Sequence, residues 1–77
     1  VRVLAAELPS EDRLRAKYGL TRAAARVARE IAAGESTRVI AEKLNVSIHT
    51  VRRHTEQIRQ QLGVHSRAEI VSKVLRG

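Results

Sequence analysis

STRVIAEKLNVSIHTVRRHTEQIRQQLG, residues 36–63, decides the fold of this chain. Ile40, Ala41 and Leu44 recur at three- and four-residue spacing, which predicts a helix from about Thr37 to Leu44 with one apolar face. So short a helix does not hold alone, so it must lean on a neighbour. Asn45 follows where a helix stop needs left-handed backbone angles, and Asn tolerates these better than any residue but Gly. Val46 is then expected to pack inward, and Ser47 offers an N-cap oxygen to a second helix running from about Ile48 to Gln61. That helix turns Val51, Ile58 and Leu62 inward and stops at Gly63, leaving His49, Arg52, Arg53 and Glu56 on its other side. Two short helices joined by a tight turn, the second one basic, is the layout of a helix-turn-helix.

The segments on either side supply packing partners. Residues 1–8, VRVLAAEL, read as a lead-in that could be helical, and Pro9 interrupts them. Ser10, Glu11 and Asp12 then start a short helix from about Glu11 to Tyr18, ended by Gly19. Thr21 caps a helix from about Arg22 to Ala33, on which Leu20, Ala24, Val27, Ala28 and Ile31 share a face before Gly34 stops it. Ser66-Arg67-Ala68-Glu69 is a capping box: Ser66 serves the Glu69 amide, Glu69 reaches back to the Ser66 amide, and Ile70, Val71, Val74 and Leu75 give the last helix a broad apolar face. The expected fold is all-α, a four-helix helix-turn-helix domain over residues 20–77 with a helical extension over residues 1–19.

Composition points the same way. Fifteen Lys and Arg against eight Asp and Glu give a formal net charge of +7 on 77 residues, an excess suited to phosphate. Residues 1–19 carry +1 of it and residues 20–77 carry +6. Tyr18 is the only aromatic residue, so the stacking platforms of single-strand and RNA recognition are missing and duplex DNA is the better partner. The chain has no cysteine, which excludes disulfides and Cys-ligated zinc and fits a reducing cytoplasm. No apolar run is long enough for a membrane span or a secretory signal. Val rather than Met at position 1 points to a fragment or a processed product.

His49 and His54 are five apart, not the four that stacks two ligands on a helix face, and His65 lies beyond Gly63, so no metal is expected. No GxSxG turn or phosphate-cradling glycine loop accompanies the serines. Neither an enzyme nor a cofactor is expected.

The segment LTRAAARVAREIAAGESTRVIAEKLNVSIHTVRRHTEQIRQQLGVHSRAEI resembles the C-terminal DNA-binding domain of LuxR/NarL/FixJ-type (GerE-like) bacterial transcription regulators. Its most specific parts are Leu20-Thr21, Ile40-Ala41, Thr50-Val51-Arg52, His54, Leu62-Gly63-Val64 and Ser66-Arg67-Ala68-Glu69. The resemblance implies four helices, the third reading DNA and the fourth pairing two protomers on an inverted repeat. It places base-edge contacts on Arg52, Arg53 and Glu56, and backbone contacts on Thr21, Arg38, Thr50, His54 and Gln57. It also implies a sensing domain N-terminal to this segment, and RNA polymerase is a candidate further partner. Two departures stand out. Ala24 and Val39 occupy positions where a reciprocal capping acid would sit, and Glu56 stands where relatives often carry a cation.

The residues themselves leave alternatives. Arg52 and Arg53 could grip guanine O6 and N7 or merely form a solvated face, with DNA contact favoured. Glu56 follows Arg52 by four and Arg53 by three residues, so an intrahelical ion pair is favoured over acceptance from cytosine N4. The Thr50 hydroxyl suits phosphate or a free backbone amide equally, and Arg67 is placed in solvent rather than on phosphate. The last helix offers more apolar surface, including Val71, Val74 and Leu75, than so small a core is expected to cover, which points to a homodimer, with a place in the core as the alternative for Val74. Rival readings are a sigma-factor-like promoter-recognition domain and a helical protein-interaction module without a DNA role.

Overall fold

The computed structural model describes residues 8–76. The expected lead-in therefore lies outside the described residues, apart from Leu8, which is buried in the core. Five α-helices follow one another: α1 (Glu11–Tyr18), α2 (Arg22–Ala32), α3 (Thr37–Leu44), α4 (Ile48–Leu62) and α5 (Arg67–Arg76). α2 to α5 are the four helices expected beyond residue 20, and α1 packs against α2, so the architecture of the described residues is all-α.

Every helix starts where a hydroxyl can cap it. Ser10, Thr21, Ser36 and Ser47 each adopt extended backbone angles and accept from the amide three residues on. At Thr21 and Ser36 the caps work one way only, through Ala24 N–H at 3.1 Å and Val39 N–H at 3.2 Å, as the missing acids imply. Before α5, Ser66 Oγ accepts from Glu69 N–H at 3.2 Å, and the Glu69 carboxylate accepts from the His65 amide at 3.0 Å and the Ser66 hydroxyl at 3.2 Å. The box thus closes one residue further upstream than expected. These donors hold the Glu69 carboxyl below its ordinary pKa, the His65 amide contributing most.

α2 is the hub, touching each of the other four helices. Its buried side is built from Ala24, Ala25, Ala28 and Ala32 with Val27 and Ile31 between them, all at most 1% exposed. Small side chains at a contact let helix axes approach closely. Around this spine pack Leu14 of α1, Ile40 and Ala41 of α3, Val51, Ile58 and Leu62 of α4, and Ile70 and Val74 of α5. The incoming chain is held as well: Arg29 Nε of α2 donates to the Pro9 carbonyl at 3.0 Å.

The apolar face of α5 is better covered than its sequence suggests. Val74 is fully buried in the monomer, which removes it from the expected dimer surface: α2 takes it into the core together with Ile70. Val71 is half-buried and Leu75 is 41% exposed, so these two remain on the outer side.

The α3–α4 turn forms as its residues require, with one correction. Asn45 sits at φ 57°, ψ 47°, and the following amide, Val46 N–H, bonds back to the Ala41 carbonyl at 3.0 Å. Because Val46 closes the turn with its backbone, its side chain is left 40% exposed rather than packed inward, and the half-buried Leu44 lies against the core instead.

Candidate nucleic-acid interface

α4 carries the candidate interface, and its two sides separate as a turn of 3.6 residues demands. Val51, Ile58 and Leu62 are buried; His49, Arg52, Arg53, Glu56, Gln57 and Gln60 are exposed. Arg52 and Arg53 have no ion pair or side-chain hydrogen bond among the described residues, and Arg38, exposed at the second position of α3, has none either. Glu56 does not pair with them. Its carboxylate is taken by Arg59, at 2.8 Å, because Arg59 lies one turn downstream, the favoured direction for an acid ahead of a base.

Other acids are engaged elsewhere. Lys43 of α3 reaches Glu30 at 3.1 Å and Glu35 at 3.0 Å, tying α3 to α2 and to the loop between them. The hydrogen bond to Glu35, then that to Glu30, raises the Lys43 pKa above its ordinary value. Neither pairing follows from local spacing. The cations that lack partners, Arg38, Arg52 and Arg53, therefore face outward with no carboxylate bonded to them, although Glu42 and Glu56 lie one turn along the same helices.

Four of the five expected backbone-contact residues line two adjoining depressions. Thr50, Arg53, His54 and Gln57 line one shallow depression along α4. Gln57 also lines a groove with Thr21, Leu20 and Ala24, where the start of α2 meets α4, so it joins Thr21 to that surface. Gln61, exposed in the same groove, ties the junction by donating to the Gly19 carbonyl at 3.2 Å. Glu56 belongs to a third depression with Arg59, Gln60 and His65, on the flank toward α5. Arg38 shares none of these depressions.

Individual side chains depart from the sequence reading in informative ways. The Thr50 hydroxyl lies 3.0 Å from Ser47 Oγ, so its partner is the cap itself rather than a free amide. His54 is half-buried and its Nδ1 is buried without a partner. Arg67 is not in solvent: its guanidinium donates to the Glu35 carbonyl and to Thr37 Oγ1, the latter at 3.3 Å, joining the start of α5 to the loop and first turn ahead of Arg38. A second basic surface lies away from α4, where Lys17, Lys73 and Arg76 surround Tyr18. Among the described residues no three His, Cys, Asp or Glu side chains converge as metal ligands would, and no helix is long and apolar enough to cross a membrane.

A capped helix with an unpaired cationic side, set behind a short helix and a left-handed turn and backed by α2 and α5, defines the class of helix-turn-helix domains. The chain belongs to the luxR family of bacterial regulatory proteins: the family model GerE matches residues 19–74, beginning just after α1 ends. Membership makes this a DNA-binding domain of transcription regulation, in a regulatory rather than enzymatic family. Neither curated proteins nor solved structures yield a match.

Proposed function

We propose that α4 is the recognition helix of a sequence-specific regulator and enters the major groove of duplex DNA. The observation that carries this reading is the pair Arg52 and Arg53, exposed in the first half of a capped helix and without acidic partners. A guanidinium in that position is free to meet guanine O6 and N7 in bidentate fashion. Thr21, Arg38, Thr50, His54 and Gln57 serve the phosphate backbone, and the groove that joins Thr21 to Gln57 supports their acting as one surface. Glu56, with its carboxylate on Arg59, meets a base only by giving up that pair.

Two copies bind an inverted repeat, pairing through Val71 and Leu75 on the outer side of α5. Leu75 is one of the few large apolar side chains left exposed, which supports that choice. An activating role would add contact with RNA polymerase, and the DNA partner implies work in the cytoplasm.

Salt titration of duplex binding tests the reading. With about 4–6 phosphate contacts, log Kobs against log salt should fall with a slope of about −4 to −5 per monomer. A flat response would exclude a phosphate-tracking surface and favour the protein-interaction alternative.

A further inference from the structure

Two large apolar side chains flank the cap at the start of α4: Val46 and Ile48, each 40% exposed. Single exposed apolar residues are common and carry no meaning by themselves. Position gives one of these two a use. Val46 belongs to the turn, ahead of the cap, whereas Ile48 is the first residue of the helix and lies one turn before Arg52. Residues four apart on a helix are surface neighbours, so Ile48 and Arg52 form one edge of α4, a sec-butyl side chain beside an unpaired guanidinium.

The two hydroxyls beside Ile48 are turned to each other and to the helix start. Ser47 Oγ receives the Thr50 amide at 3.1 Å and lies 3.0 Å from the Thr50 hydroxyl. One turn ahead of Arg52, the side chain that this edge presents is the exposed Ile48. In helix-turn-helix domains the N-terminal residues of the second helix are the ones that reach base edges. The major groove displays one apolar group to them, the 5-methyl of thymine.

We propose that Ile48 packs against a thymine 5-methyl group and makes this chain prefer thymine at one position of each half-site, beside the base pair that Arg52 meets. The proposal rests on the reading of α4 as the recognition helix and names a base that this helix selects. It also accounts for an isoleucine at a position where a small polar residue would suit both the solvent and the helix start.

The experiment begins with duplexes selected by this chain from a randomised pool, in which each thymine is then replaced singly by uracil, removing only the methyl. One thymine per half-site should weaken binding about fourfold on replacement, the loss expected for one buried methyl-sized group. With Ile48→Ala, which suits the first turn of a helix, the thymine and uracil duplexes should bind equally. Ile48→Ser, which leaves no methyl on the side chain, should lose the discrimination as well.

No methyl-sensitive thymine in the selected site, or an unchanged thymine-to-uracil ratio in Ile48→Ala, overturns the proposal. A DNA-free dimer abolished by Ile48→Ala would assign the patch to a second copy and overturn it too. Arg53→Ala, measured in parallel, separates the two levels. If it erases sequence preference while no methyl effect is found, only the role of Ile48 falls; if it leaves preference intact, the recognition-helix reading itself falls.

Discussion

Glu56 and Arg59 are paired one turn apart on α4, with Arg59 Nη2 2.8 Å from one carboxylate oxygen and 2.9 Å from the other. The pairing directs the only acid of this helix away from Arg52 and Arg53 and toward α5. An exposed pair of this kind adds only a few tenths of a kcal/mol to the helix.

Glu56→Gln is therefore expected to leave base preference unchanged and to shift stability by less than about 0.5 kcal/mol. Competition binding against single-base variants of a selected site measures the first and urea unfolding the second. A change confined to one C·G pair would show instead that the carboxylate leaves Arg59 to accept from cytosine N4.

Arg52 and Arg38 should behave differently on removal. Arg52→Ala is expected to cost about 1–3 kcal/mol on the preferred site and to relax preference at one base pair. Arg38→Ala, on the first turn of α3, should weaken all duplexes alike and lower the salt slope by about one. If the two effects were exchanged in a binding titration across several sites and salt concentrations, α4 would not be the reading element.

Val74 and Leu75 are adjacent in sequence and opposite in environment, which separates folding from pairing. Val74→Asp places a carboxylate where the side chain has no exposure, at a cost of several kcal/mol, a large share of the roughly 5–15 kcal/mol that holds a domain together. Leu75→Asp, on the outer side, should retain helicity and lose the preference for two half-sites over one. Circular dichroism with full-site and half-site binding distinguishes the pair. Full cooperativity in Leu75→Asp would place the protomer contact elsewhere.

Acid should expose the cap of α5. Glu69 has its pKa lowered on folding, chiefly by the His65 amide and then by the Ser66 hydroxyl, so its contribution is present above the unfolded-state pKa and is lost as pH falls through the lower folded value. Starting near the ordinary value of 4.5 and continuing below it, Tm of the natural chain should drop more steeply than Tm of Glu69→Gln. Parallel curves would show that the carboxylate does not stabilise the start of α5.

The helices were legible because their signals are local. Ser10, Thr21, Ser36, Ser47 and Ser66 each announce a start within three residues, and Gly19, Asn45 and Gly63 supply the left-handed stops that end α1, α3 and α4. The exposed set on α4 was legible for the same reason, since a 3.6-residue period alone divides it from Val51, Ile58 and Leu62. Contacts between distant segments were not. Arg67 finds the Glu35 carbonyl and Lys43 finds Glu30 and Glu35 only once α2, α3 and α5 are assembled, and no spacing encodes that. Between dimer surface and core, Val74 lies in the core, and the sequence does not decide it because an apolar stripe shows that burial is needed without showing whether the same chain or another supplies it. Glu56 had candidate cations on both sides along the helix, and spacing did not exclude the upstream ones.

The alanine side of α2 has a consequence for how this domain can vary. Where Ala24, Ala25, Ala28 and Ala32 meet their neighbours there is no side chain to shorten usefully and no exposed space into which a longer one could turn. Enlarging one of them, as in Ala28→Leu, forces helices apart and is expected to cost about 1–3 kcal/mol or more, whereas trimming one carbon from a larger core side chain packed around it, as in Ile70→Val, costs about 0.5–1.5. Drift in such a chain is thus asymmetric: the spine admits almost no growth, and variation is pushed outward to the rim and to the exposed side of α4, where a change of residue alters which DNA is bound rather than whether the domain stands.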